Sequence, residues 1–241
     1  MSTYVLCHGG GMGGWIWKFV KPALLEAGHT VYTPTYTGFG EREHLLSADI
    51  DTNVNVTDIV NVLEKEDIED CILVGHSYSG TILPGVCAEA GDRVRRVALL
   101  DSLIVRTGES VIEAMGLMPA EQAADIAKKV AAGEIPPNSG VHIQQREMAK
   151  EHPMDMPAER QQWLLDHLSD QPLPCTLTPV KVGAEMLKKP VDYVAVTETI
   201  MKPLHARAAE LGWTVHELEG DHAFLVGQPE WTANFLLSLD K

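Results

Sequence analysis

Residues Cys71–Gly80 read C-I-L-V-G-H-S-Y-S-G, an apolar run that ends at a glycine and meets a serine two residues later. An unbroken apolar run of strand length predicts a strand buried on both faces over Asp70–Gly75. The residues from Tyr78 to Ala90 predict a helix. A strand that becomes a helix within two residues needs a tight, crowded corner, and small residues must flank it. A serine held at such a corner projects its hydroxyl beyond the end of the sheet, as in a nucleophile elbow. Ser79 stands at the second flanking position, where glycine is usual, and serine is still small. The ordinary alternative is a strand–turn–helix in which Ser77 only caps the helix.

Two further stretches favour the elbow. H-G-G-G-M-G-G-W, His8–Trp15, directly follows a strand predicted over Thr3–Cys7. Glycine-rich backbone there lets N–H groups face a substrate oxygen and form half of an oxyanion hole. A phosphate loop would need G-x-x-x-x-G-K-[ST], which is absent. E-G-D-H-A-F, Glu219–Phe224, follows the last predicted strand and sets His222 downstream of Ser77. The chain has ten histidines, so its position in the order, not histidine content, marks this one.

Further strands are predicted over His29–Pro34, Val94–Leu100, Val191–Val196 and Thr214–Leu218. Helices are predicted over Trp15–Ala27, Asn53–Glu66, Leu204–Leu211 and Glu230–Leu239. This alternation predicts an α/β fold with a mainly parallel sheet covered on both faces, and 241 residues suit one such unit. Between the fourth and fifth strands lie about 85 residues, where a crossover needs only a dozen or more. The stretch is helix-rich, is broken by G-E-I-P-P-N-S-G at Gly133–Gly140, and carries Met115, Met118, Met148, Met154 and Met156. It predicts a helical cap over 104–186, set between core segments 1–103 and 187–241. Met118 and Trp163 are expected in a substrate wall, although core filling is the plainer role for any one of them.

Nineteen Lys and Arg against 34 Asp and Glu give a net charge of −15, which argues against nucleic acid or an anionic membrane as partner. No apolar run approaches the roughly 20 residues of a membrane helix. The N-terminal residues lack a basic stretch followed by an apolar core, so a cytoplasmic location is expected. Cys7, Cys71, Cys87 and Cys175 are scattered, which suits reduced structural thiols and not a metal site.

The chain resembles the α/β-hydrolases, in particular the small capped branch of plant methylesterases, hydroxynitrile lyases and bacterial esterases, including those that cleave benzimidazole carbamates such as carbendazim. L-L-E-A-G-H-T-V at Leu24–Val31, Q-P-L-P-C-T-L-T-P-V at Gln171–Val180 and G-D-H-A-F-L-V-G-Q-P at Gly220–Pro229 extend the likeness along nearly the whole length. The resemblance implies an α/β-hydrolase fold of about six strands, with Ser77 as nucleophile and His222 as general base. It also implies an oxyanion hole from the N–H groups of Gly10 and Tyr78, with no metal or cofactor. The expected reaction is hydrolysis of a small, largely apolar ester through an acyl-enzyme, with a carbamic acid methyl ester as the preferred special case. A cofactor-free lyase, a C–C hydrolase and a receptor-like binding module are the alternatives.

Three departures matter. Gly9 and Ala223 stand where the hydroxynitrile lyases carry threonine and lysine, which argues against lyase chemistry. Thr199 stands where the family's acid usually follows the fifth strand. The acid is therefore expected from Asp101, at the end of R-V-A-L-L-D-S-L-I. Neighbouring strands lie about 4.8 Å apart, so a carboxylate there can approach the imidazole from beside the nucleophile strand. Glu198 is the main rival, but strand alternation turns it away if Thr199 faces the site. Asp221, adjacent to His222, is poorly placed to reach the far ring nitrogen.

Overall fold

The computed structural model describes residues 1–240. Six strands, β1 (Thr3–Cys7), β2 (Thr30–Tyr32), β3 (Cys71–His76), β4 (Val94–Leu100), β5 (Val191–Glu198) and β6 (Thr214–Asp221), form one parallel sheet in the order β2-β1-β3-β4-β5-β6. The helices before the long β4–β5 connection are Lys21–Glu26 (α1), Thr52–Lys65 (α2) and Leu83–Ala90 (α3). Within it lie Val111–Ala114 (α4), Ala120–Ala131 (α5), Val141–Glu151 (α6), Ala158–His167 (α7) and Pro174–Leu177 (α8). Lys202–Glu210 (α9), Phe224–Gly227 (α10) and Pro229–Ser238 (α11) complete the chain.

Alternate strand residues enter two separate cores, as the two-residue side-chain period requires. Val5, Cys7, Cys71 and Leu73 pack with Ile59 and Leu63 of α2 and Leu83 and Val86 of α3. Tyr4, Leu6, Ile72 and Val74 pack on the other face with Leu24 of α1, Leu225 of α10 and Leu236 of α11. Register sets Cys7 beside Gly75 and Gly75 beside Leu99. The segments leaving β1, β3 and β4, which carry Gly9, Ser77 and Asp101, therefore emerge side by side at one edge of the sheet.

Two predicted helices are broken. Trp15–Ala27 divides into a 3-10 segment at Gly14–Phe19 and α1, and Tyr78–Ala90 divides into a 3-10 segment at Ser77–Thr81 and α3. Pro22 and Pro84 stand in the first turns of α1 and α3. Proline suits a helix start but cannot donate to a preceding turn, so each helix begins anew there. Strands β5 and β6 run past their predicted ends to Glu198 and Asp221, which pair with each other.

The β4–β5 connection is not a detached unit. Leu164 and Leu168 are buried in the sheet-face core that Met154, Met156 and Trp163 also contact. Met115 packs on a third cluster built by Leu103, Val105, Val111, Val180 and Leu204. Met148 is half exposed. Met154 and Met156 thus pack on one core and Met115 on another. Among the described residues, no helix is long and apolar enough to cross a membrane.

Candidate active site

Ser77 sits at φ +54, in the left-handed region that non-glycine residues seldom adopt. The corner is as crowded as its sequence implies. A side chain at Gly80 would put Cβ 1.9 Å from the Leu103 carbonyl oxygen, and one at Gly75 would put it 2.9 Å from Ser79 Cβ. Ser79, the departure from glycine, has its own task. Its hydroxyl donates to the His8 carbonyl at 2.6 Å and receives the Tyr36 hydroxyl at 2.6 Å, tying the glycine-rich loop to the elbow.

His222 bridges two partners. Its Nε2 lies 2.9 Å from Ser77 Oγ, and its Nδ1 lies 2.6 Å from Asp101 Oδ2. Asp101 is fully buried, also at a positive φ of +43. Its loop is pinned against the elbow: Leu103 N–H donates to the Ser77 carbonyl at 2.9 Å, and the Ser102 hydroxyl donates to the Gly75 carbonyl at 2.8 Å. Burial pushes the Asp101 carboxyl up. Hydrogen bonds from His205, His222 and the Thr199 hydroxyl outweigh burial and hold it well below the usual carboxylate range.

The rivals are engaged elsewhere. Glu198 is exposed at the end of β5. Asp221 accepts the Asp155 N–H at 2.6 Å and the Ala223 N–H at 2.8 Å, linking the long connection to the His222 loop. Sequence reasoning missed His205, whose Nε2 lies 2.9 Å from Asp101 Oδ1. A single histidine on the helix after β5 has no spacing partner to mark it.

The glycine-rich loop lies directly on the elbow. A Cβ at Gly9 would come within 3.0 Å of Ser77 Cβ and 2.9 Å of the His76 ring. Gly10 lies under the Gln171 carboxamide, whose oxygen would be 2.5 Å from a Cβ there. Gly11 donates its N–H to that oxygen at 3.0 Å and accepts the Ser169 N–H at 2.9 Å. The end of the long connection thereby fixes the loop. Tyr78, next to Ser77, is anchored by its ring on Phe39 and its hydroxyl on Asn55 Oδ1, 3.0 Å away.

Two buried histidines frame the site. His8 donates Nδ1–H to the Gly9 carbonyl and accepts the Tyr36 N–H at Nε2, and His76 donates Nε2–H to the His222 carbonyl at 3.0 Å. Burial pushes His8 down to about 4 and His76 down to about 3, the latter assisted by His222. An unfolded chain takes up both protons near pH 6.5, whereas the folded chain refuses them until far lower pH. Stability is therefore expected to fall as pH drops below about 6.5, before any carboxylate titrates. The depressed Asp101 adds to the loss below about pH 4, where the unfolded carboxylate begins to bind its proton. Thermal midpoints measured from pH 7.5 to 4.5 check this, and a flat curve across that range would contradict it.

Trp163 lies 5.5 Å from Trp15 and 4.9 Å from Phe19, ring to ring. It borders an open cavity of about 520 Å³ with Trp15, Lys18, Lys21 and His167, a cavity that neither Ser77 nor His222 lines. Met118 is half-buried in the turn before α5. Among the described residues, no group of three His, Cys, Asp or Glu side chains converges as a metal site requires. The four cysteines are free, and burial pushes each thiol up to about 12.

A parallel sheet that presents a strained serine at the end of β3 and answers it with a histidine after β6 defines an α/β protein of the hydrolase type. The chain belongs to the alpha/beta hydrolase family, whose family model matches residues 4–235. A carbendazim hydrolyzing esterase from Nocardioides sp. (strain SG-4G) is 27% identical over 245 residues, covering 99% of this chain and 100% of that protein. An extracellular alpha/beta-hydrolase from a Paenibacillus species superposes with a TM-score of 0.76 at 22% identity, covering 99% of this chain and 98% of that one. Polyneuridine aldehyde esterase superposes with a TM-score of 0.74 at 18% identity over the whole of both chains. At these identities the solved structures speak for the fold.

Proposed function

We propose that the protein is a serine esterase that cleaves a small, largely apolar ester through an acyl-enzyme, with a carbamic acid methyl ester as the preferred substrate class. The observation that carries the reading is the unbroken hydrogen-bonded line from buried Asp101 through His222 to a serine held at a strained corner. In this reading His222 Nε2 takes the Ser77 proton as Oγ attacks the carbonyl carbon. The N–H groups of Gly10 and Tyr78 receive the oxyanion. The tetrahedral intermediate expels the alcohol, which takes the proton from His222, and water then releases the acid by the same steps reversed. A methyl carbamate would lose methanol first and be released as a carbamic acid.

The carbamate preference is supported by full-length similarity to the carbendazim hydrolyzing esterase. The lyase alternative is disfavoured because Ser77 Cβ leaves little room for a threonine side chain at Gly9, and Ala223 offers no cation. Residues 104–186 act as the cap that selects the acyl group. The reading includes a cytoplasmic protein that acts on a small-molecule substrate, with neither nucleic acid nor membrane as partner.

The test is turnover of aryl esters, methyl esters and methyl carbamates, together with covalent labelling by a fluorophosphonate. Labelling at Ser77 with measurable turnover, highest on a carbamate, is expected. Labelling without turnover of any substrate would favour a receptor-like role.

A further inference from the structure

We propose that His205 is a positioning residue for the Asp101–His222–Ser77 line: its Nε2–H holds one carboxylate oxygen of Asp101 so that the other stays aimed at the His222 ring. The inference rests on the serine-hydrolase reading above. Each oxygen of Asp101 has its own histidine, Oδ2 at 2.6 Å from His222 Nδ1 and Oδ1 at 2.9 Å from His205 Nε2. Turning the carboxylate about its Cβ–Cγ bond sweeps both oxygens together, so a donor fixed on one fixes the other.

His205 is itself held in place. Its ring meets Tyr193 edge-on at 5.8 Å, and the Tyr193 hydroxyl donates to the carbonyl of Ser102, the residue after Asp101. Helix α9, which carries His205, is clamped to the loop after β4. There Arg207 donates to the Ile104 carbonyl at 2.7 Å and to both oxygens of Glu109. Donor and acceptor therefore ride on elements locked to each other. The polar and titratable groups around Asp101 are His205 on α9, His222 after β6, Thr199 after β5, Tyr193 in β5 and His76 in β3. A ring that donates from Nε2 anchors the carboxylate and leaves its second oxygen to the imidazolium that forms on His222.

The experiment compares wild type, His205→Gln and His205→Leu on p-nitrophenyl acetate, with Ser77→Ala as the background. Glutamine extends an uncharged N–H donor to about the same reach, whereas leucine fills the space without a donor. His205→Leu is expected to lower kcat by about tenfold to a hundredfold, because a loosened acid misplaces the base. KM should stay within about twofold, since no ground-state contact to substrate is lost. The acid limb of its kcat–pH profile should move to lower pH, because a less firmly held carboxylate stabilises protonated His222 less. His205→Gln should recover most of the rate. Wild-type kcat and profile in His205→Leu, or an equal fall in His205→Gln, would overturn the proposal. If the leucine variant does not fold, His205→Asn, too short to reach Asp101, replaces it with the same expectation.

Two-bond 1H–15N spectra of the histidine rings give a readout that needs no turnover. His205 is expected as the Nε2–H tautomer, and an Nδ1–H tautomer would overturn the proposal. Full hydrolysis by Ser77→Ala would instead defeat the serine reading, and the spectra would still decide the His205 contact.

Discussion

Replacing Ser77 by alanine is expected to lower kcat by about 10⁵–10⁶-fold while the protein stays folded. The side chain that is lost is small, and its hydroxyl makes one hydrogen bond, to His222 Nε2. The corner itself is held by other groups: the Ser77 carbonyl accepts from Leu103, the Gly75 carbonyl accepts from Ser102, and Ser79 joins His8 to Tyr36. The backbone strain at φ +54 is therefore borne by contacts the substitution leaves intact, and the melting temperature should change by a few degrees at most. In the proposed mechanism, by contrast, the Ser77 hydroxyl is the attacking group, and alanine offers no replacement. His222→Ala should fall about as far, because base and nucleophile act as a unit whose losses do not add. Steady-state turnover and fluorophosphonate labelling of folded protein check both. Retention of more than about a hundredth of the wild-type rate in Ser77→Ala would mean that another group attacks the substrate.

The elbow was legible because its constraints are local. A buried strand, a glycine, a serine and a small residue must follow one another within a few positions, so C-I-L-V-G-H-S-Y-S-G carries nearly the whole geometry. The ends of β1, β3 and β4 were legible for the same reason, and register then brings Gly9, Ser77 and Asp101 together. Glycine positions also carried information that packing explains: a side chain at Gly9 would press on Ser77, and one at Gly80 would strike the Leu103 carbonyl.

What the sequence did not disclose depends on distant contacts. His205 reaches Asp101 across 104 positions of chain, and Gln171 reaches Gly11 across 160. No periodicity or spacing encodes such a pair. The neighbours of Trp163 were hidden for a related reason. An aromatic residue in a long insertion is compatible with many surfaces, and packing on Trp15 and Phe19 won.

Asp101→Asn is expected to lower kcat by about 10³–10⁴-fold, with Glu198→Gln left near the wild-type rate. The reason lies in the count of donors. Two histidine N–H groups converge on Asp101, and a carboxylate answers both because each of its oxygens accepts. A carboxamide has one acceptor oxygen and one NH₂, so one histidine must meet a donor. If the NH₂ faces His222, that ring must present a lone pair at Nδ1 and carry its proton on Nε2, opposite Ser77. In that tautomer it cannot take the serine proton, and the loss approaches 10⁴-fold. If the NH₂ faces His205 instead, His222 keeps the useful tautomer but loses the charge that stabilises its protonated form, and the loss is nearer 10³-fold or below. Combining Asp101→Asn with His205→Leu removes the competing donor, lets the NH₂ turn from His222, and should recover part of the activity. Glu198, exposed at the end of β5, takes part in neither arrangement. The assignment of the acid would be wrong if Asp101→Asn turned over normally while Glu198→Gln lost several powers of ten.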